Sequence, residues 1–536
     1  MIPRLRTQLT RRSQFSVLMS TSTAATKYAG WSREQLIERL SHLEGQQSIP
    51  SSSPPPLPAV PPVASTSNAL DADAISGNPK STRTFDFYTY PRRKIALKFC
   101  YSGSEYGGLA FQLGETPLPT VEGVLFDALA HARLVDSEGG FDGCSWERCG
   151  RTDRGVSGAG QVVSFWVRSA LPVEELEEYV VGRPGLHAVA EATEEGEEDS
   201  APTTAPDEIQ RHIPLPQSRS EHDYVTILNR LLPPSIRVFA WSPVASTFSP
   251  RFACQWRHYK YFFSPSNLSL PAMEDAASRL VGEHDFRNLC KLDAAKQITS
   301  FKRSIMAAYI ERFDDDLYVF NLRGSAFLYN QVRHIMAVLF LIGTGLEPPS
   351  LMSALLNVSE GAEGDYPVVD CKPEYQMADG HPLVLWDCGY PEGTFDWRTC
   401  GRPSPIGDNG ELHRELTNIF QRSQITTALH SHFLKAAEQF HAPPKSIFPL
   451  EDPEKLQESK ERVWGGKAKQ EAIHVPLGGG TEKRFVKYVR VLQRKRLDPV
   501  EVANERWRVG KGKRKSERKR AVAEEPVEET KMAATG

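Results

Sequence analysis

The chain has 536 residues, with 64 lysines and arginines against 67 aspartates and glutamates, a net charge of −3. That length allows two to four domains, and the near-neutral balance argues against a protein that holds nucleic acid through uniform positive charge. The eight cysteines include no Cys-x-x-Cys pair, so neither a zinc framework nor a secreted disulfide scaffold is expected, and no uncharged apolar window is long enough to span a membrane.

Residues 1–30 carry Arg4, Arg6, Arg11, Arg12 and Lys27 and no acidic residue. That composition suits a mitochondrial transit peptide, with a disordered basic tail as the alternative. Met19 opens a second start of cytosolic character, so two destinations are expected. Over 31–45, Leu36, Ile37, Leu40 and Leu43 recur at helical spacing behind Ser32 and Gln35, which predicts a short amphipathic helix. The stretch 46–82 is dominated by Ser, Pro and Ala and reads as a linker.

From 83 to 393 the pattern becomes that of a folded domain. Period-two strands are predicted at Ile95 to Tyr101, after Gln161, at Arg257 to Phe263, at Asp316 to Leu322 and at Pro382 to Trp386. Helices are predicted over Val121 to Leu134, Tyr224 to Leu232, Met273 to Val281 and Tyr329 to Ile342. The alternation indicates an α+β or α/β domain on a mostly antiparallel sheet, interrupted by an acidic insertion near 191–220. Residues 394–480 read as an extension in which Leu412 to His432 is helical, with Leu416, Ile419, Phe420 and Leu429 on one side. The last segment, 481–536, is a basic tail whose cluster from Lys511 to Arg520 suits nuclear import and weak RNA contact; a merely solubilising end is the alternative.

Chemistry concentrates in Cys149-Gly150-Arg151-Thr152-Asp153-Arg154-Gly155-Val156-Ser157. One aspartate stands between two arginines inside a glycine-bounded turn, an arrangement in which the arginines would hold a carboxylate ionised and attract phosphate. Such an aspartate can serve as nucleophile or base. By themselves the same residues equally describe a surface turn closed by an Arg/Asp salt bridge.

The run Gly-Arg-Thr-Asp-x-Gly-Val-x-x-x-Gln-Val resembles the catalytic signature of the TruA-type tRNA pseudouridine synthases. The resemblance extends over residues 92–391 through Arg93 to Gly103, Phe248 to Phe252, Arg257 to Tyr261 and Phe327 to Ile335. A further block, Gly282 to Asp293, is similar to the eukaryotic branch that modifies positions 38 and 39 of the tRNA anticodon stem-loop. The resemblance implies two ferredoxin-like halves forming one curved sheet flanked by helices, with disordered terminal extensions. It also implies Asp153 as the essential carboxylate, Arg333 as its bidentate partner that keeps its pKa low, and Tyr259 as the tyrosine beside the flipped uracil. Arg151 becomes a substrate-binding residue that offsets base flipping, and Arg154, His258 and Lys260 become further RNA contacts. No metal or cofactor is expected, since the sequence carries no P-loop, dinucleotide fingerprint or metal constellation. Gly158 departs from the alanine common in the family and is expected to loosen the loop. The expected partners are the tRNA anticodon stem-loop and a second copy of the chain, and the expected places are nucleus and cytoplasm, with mitochondria for the form starting at Met1. Two rivals stay open: a sister synthase acting at other RNA positions, and a catalytically idle RNA-binding protein.

Overall fold

The computed structural model describes residues 85–114, 116–173, 175–176, 220–399, 410–443, 446–451 and 473–514. The leader, the helix over 31–45, the linker and nearly all of the acidic insertion lie outside the described residues.

One large mixed sheet organises the rest, in the order β4-β1-β3-β9-β5-β8-β7-β6, with β2 paired to β3. Its strands are β1 (Arg92–Tyr101), β2 (Glu147–Arg148), β3 (Ser157–Arg168), β4 (Ile236–Pro243), β5 (Trp256–Phe263), β6 (Gly282–Asp285), β7 (Lys302–Arg312), β8 (Tyr318–Gly324) and β9 (Leu383–Gly389). Pairing is antiparallel apart from β3 with β9, where Ser157 faces Val384 and Gly158 faces Leu385. That parallel joint unites two halves, each with its own apolar core.

In the first half, α1 (Val121–His131) and α2 (Tyr224–Leu231) cover the sheet. Thr120 caps α1 by accepting from the Gly123 amide at 3.2 Å, and Val121, Leu125 and Leu129 recur every fourth position on its buried side. They meet Ile95, Leu97 and Phe99 of β1, the alternate residues of a strand whose odd positions face the helices. In the second half, α3 (Leu270–Ser278), α4 (Gln331–Gly343) and α5 (Ser350–Leu356) pack over β5, β7 and β8. α4 is buried nearly all round, which is why its sequence reads as an apolar run.

The predicted α+β class and mostly antiparallel sheet are found, and the predicted helices and strands appear within a few residues of their expected ends. In this sheet β2, β4, β6 and β7 have no counterpart among the predicted strands. β4 and β7 fill positions that the sheet needs but that no clean polar alternation marks. α6 (Glu411–Glu438) forms where a helix was expected, but it buries none of its residues; Phe420 and Leu429 are exposed. Arg237 holds its start through Glu415 at 2.7 Å.

Residues 473–514 differ from a disordered tail, and the rest of the tail lies outside the described residues. β10 (Ile473–Gly478) and β11 (Thr481–Phe485) form a hairpin, so the boundary expected at 480 falls inside it, and α7 (Val500–Trp507) follows. Apolar residues interleaved with the charges explain this. Val491 is fully buried, Tyr488 donates to Glu347 at 2.7 Å, and Arg494 lies over the rings of Phe485 and Tyr488. Arg496 pairs with Asp370 at 2.8 Å.

Glu122, fully buried in α1, ties this frame to the strand that leads into the signature. It accepts from Arg148 Nε at 2.5 Å, Trp146 Nε1 at 2.9 Å and the Phe111 amide at 2.9 Å. Removing one partner of a buried pair leaves the other uncompensated, so Glu122→Ala should lower stability by about 3–5 kcal/mol. Urea denaturation followed by circular dichroism checks this as a shift of the midpoint at unchanged slope.

Candidate active site

The loop from β2 to β3 carries Asp153 and is pinned along its length. Gln161 donates to the Gly150 carbonyl at 2.9 Å, and Arg257, from the neighbouring β5, donates to the Cys149 carbonyl at 2.9 Å. The Thr152 hydroxyl shares a 2.7 Å hydrogen bond with Tyr101, and its carbonyl accepts from Leu109 at 3.2 Å. After Asp153 the chain turns back, the Val156 amide donating to the Asp153 carbonyl at 3.1 Å. Gly155 takes φ 81° there, a left-handed angle that residues with a Cβ resist.

Gly158 does not loosen this loop. It is a buried residue of β3, and a Cβ in its place would lie 2.6 Å from the ring of Tyr101. The missing methyl makes room for the ring whose hydroxyl holds Thr152.

Asp153 is half-buried, and its closest partner is Asn330, whose amide donates to the carboxylate. Asn330 stands just before α4 with φ 56° and ψ 17°, turned out of the helix by the Gln331 side chain, which accepts from the Leu328 amide at 2.8 Å. Burial raises the Asp153 pKa above its ordinary value. The charge of Arg333, the Asn330 hydrogen bond and the charges of Lys296 and Lys291 pull it back without cancelling the rise.

Two expectations are thereby corrected. The flanking Arg151 and Arg154 are exposed, make no side-chain hydrogen bond among the described residues and are not what offsets the burial of the carboxylate. Arg333 does face Asp153 electrostatically but forms no bidentate pair with it. Its Nε donates instead to the Ala378 carbonyl at 2.9 Å, with the guanidinium lodged against Gly380. The net effect is a raised pKa, not a low one, because desolvation outweighs a charge that acts without contact.

Tyr259 is buried beside this group, its ring edge-on to Phe327 at 5.0 Å between centroids. Its hydroxyl makes no hydrogen bond within the described residues. Burial, with the nearby Asp153 charge among the lesser causes, raises its pKa, so it stays a neutral phenol. His258 and Lys260 do not join the site. Strand alternation sends them to the other face of β5, where His258 meets Asn321 at 2.9 Å and Lys260 lies over Trp386 at 4.6 Å and 3.8 Å from Glu311. The period-two rule could have separated them from Tyr259.

Three further residues act on Asp153 that spacing does not mark: Asn330 within the Phe327 to Ile335 block, and Lys291 and Lys296 in and just after the Gly282 to Asp293 block. The two lysines sit over Tyr329 at 5.0 and 4.6 Å and line a cavity of about 220 Å³ with Leu328, Phe301 and, from the C-terminal segment, Val500 and Asn504. This largely apolar, partly aromatic hollow, whose two lysines are matched by Asp293 and Asp498, lies next to Asn330, and both lysine charges reach Asp153. A half-buried carboxylate, a neutral phenol without a partner among the described residues and two lysines nearby make a site suited to a planar, neutral base on an anionic backbone.

Residues 276–391 match the family model described as tRNA pseudouridine synthase. Over 484 residues the chain is 35% identical to the tRNA pseudouridine(38/39) synthase of Saccharomyces cerevisiae, covering 90% of this chain and 91% of that one. The chain belongs to the tRNA pseudouridine synthase family. It is also 40% identical to the human tRNA pseudouridine(38/39) synthase over 326 residues, 59% of each chain. With the tRNA pseudouridine synthase A of Methanothrix thermoacetophila it shares 32% over 308 residues, 57% of this chain and 85% of the archaeal one. The surroundings of the signature Asp153 are Asn330, Arg333 and the two lysines.

If Asp153 is the essential carboxylate, as the resemblance implies, it acts ionised, and with its pKa raised activity should be lost as pH falls through a value above the usual carboxylate range. Asn330→Ala removes a hydrogen bond to the charged form, worth about 1.5–3 kcal/mol, and so raises that pKa further. The acid limb of kcat/KM should move up by about one to two pH units, with a rate loss of roughly tenfold to a hundredfold below the limb that shrinks as pH rises. Single-turnover rates across pH check this; an unmoved limb would remove Asn330 from the site.

Proposed function

We propose that the protein isomerises uridine to pseudouridine at positions 38 and 39 of tRNA, with Asp153 as the essential carboxylate. The observation that carries this is a half-buried, ionisable Asp153 close enough to act electrostatically on the buried Tyr259, in a chain similar over nearly its whole length to a yeast enzyme named for those positions.

The reaction breaks the bond between the ribose and uracil N1, turns the base and joins the ribose to C5. The proton lost from C5 is matched by the one gained at N1, so neither oxidant nor water is consumed. A uridine inside the stem-loop must leave its stack to reach Asp153, at a cost of a few kcal/mol. Arg151 and Arg154, exposed on either side of Asp153, are placed to grip the backbone phosphates that offset this. Leu328 and Val332, both buried, wall off water. Tyr259 borders the base, and its neutral phenol can accept the C5 proton while passing on its own. Lys291 and Lys296, beside the cavity of about 220 Å³, supply a place for a neighbouring nucleotide of the loop.

A second copy of the chain is also proposed as a partner. The face of the sheet turned away from the helices exposes Tyr309 and Trp386, large apolar groups that a homodimer would cover. Light scattering on the purified protein tests it; a monomer at all concentrations would end this reading.

Purified enzyme is incubated with unmodified tRNA transcripts carrying uridine at 27, 28, 38 or 39, and pseudouridine is mapped at single-nucleotide resolution. Modification should appear at 38 and 39. Asp153→Ala should abolish it while leaving tRNA affinity within about threefold, since phosphate contacts set the affinity. Preferred modification at 27 or 28 would assign the chain to another branch, and turnover by Asp153→Ala within about tenfold of wild type would remove the aspartate from the chemistry.

A further inference from the structure

Behind the Asp153 loop, three thiols that lie far apart in the sequence converge. Cys149 immediately precedes the signature glycine, Cys254 lies in the turn before β5, and Cys388 belongs to β9. Their sulfurs all lie within 4.8 Å of one another. Cys149 and Cys388 are buried, Cys254 is half-buried, and all three are free thiols. Spacing alone gave no zinc framework, because the cluster is assembled by the β3–β9–β5 joint and not by a local Cys-x-x-Cys turn.

An independent observation concerns Arg257. Its guanidinium donates to the carbonyls of Cys149 at 2.9 Å, Ser325 at 2.8 Å and Arg251 at 3.1 Å, and it has no carboxylate partner among the described residues. Its charge is felt by each of the three sulfurs. A guanidinium held this close to three thiols favours their deprotonated form, and three adjacent thiolates repel one another unless a cation sits among them. Three thiolates around a dication leave one net negative charge, which Arg257 neutralises.

We propose that Cys149, Cys254 and Cys388 together bind one thiophilic divalent cation of the zinc class, with a solvent oxygen completing the tetrahedron. Binding releases the three thiol protons to solvent and changes no oxidation state. The site is structural. It fastens the root of the Asp153 loop to β5, which carries Tyr259, and to β9, the strand that joins the two halves. Soft thiolate donors favour zinc or copper(I) over magnesium or calcium, and metal analysis separates the two.

Full-length protein purified without metal-affinity resin is analysed for metals by plasma mass spectrometry. It is then exchanged with cobalt(II) and examined for thiolate-to-cobalt charge-transfer absorption. About one zinc per chain is expected, dropping below about a tenth in Cys149→Ser, Cys254→Ser and Cys388→Ser, while Cys100→Ser and Cys371→Ser keep it. Should the cluster variants fail to fold, chelator-treated wild-type protein carries the test: added zinc should raise its Tm and added cobalt should give the thiolate band. Wild-type protein that takes up less than about a tenth of an equivalent of zinc, or a triple Cys→Ser variant that retains a full equivalent, overturns the proposal. So does copper(I) as the resident ion, or a disulfide between any two of the three.

Discussion

The candidate site turns on one half-buried carboxylate that must stay ionisable. Taking Asp153 out of water disfavours its charged form, and the chain answers with a neutral hydrogen-bond donor in contact and cations at a distance. A contacting guanidinium would hold the carboxylate down in its ordinary range, but it would also occupy the oxygens that the substrate needs. Asn330 stabilises the charge while leaving one oxygen uncommitted, and Arg333, turned to the Ala378 carbonyl, contributes field without contact. The result is a carboxylate whose pKa is raised and whose orientation is fixed.

That fixing is the work of the joint between the two halves. β9 lies parallel to β3 and antiparallel to β5, so the strand after the Asp153 loop and the strand that carries Tyr259 share one neighbour. Arg257 reaches across from β5 to the Cys149 carbonyl, and Gly158 lets the Tyr101 ring sit close enough to hold Thr152. Small shifts at this joint would reach the carboxylate directly, which is why the thiol cluster behind it is placed where a structural ion would have most effect.

The C-terminal segment adds a wall. Residues that by charge resemble a solvated tail bring Val500 and Asn504 to the cavity beside Lys291 and Lys296. The Leu497 amide donates to the Lys372 carbonyl at 2.8 Å, and the Lys372 side chain is itself buried against His334, the residue after Arg333. Burial takes the Lys372 pKa down to about 8, and burial with the Lys372 charge takes His334 down to about 2, so the helix behind the site carries a neutral imidazole.

The sequence by itself determined the class of fold and singled out Asp153 as the candidate for the chemistry. Period-two and helical spacings follow from backbone geometry, and a glycine-bounded turn with Asp153 is a local pattern, as are the separated blocks that resemble the family. It also held, unread, the alternation that sends His258 and Lys260 away from Tyr259. Only the tertiary structure decided which residues touch. Asn330 approaches Asp153 from 177 positions away, Arg333 turns aside to a carbonyl, and three scattered cysteines meet around Arg257. Spacing rules describe neighbours within one helix or strand, whereas pKa, pairing and ligand sets depend on burial and on contacts across the sheet, and those distances exist only once the chain has folded.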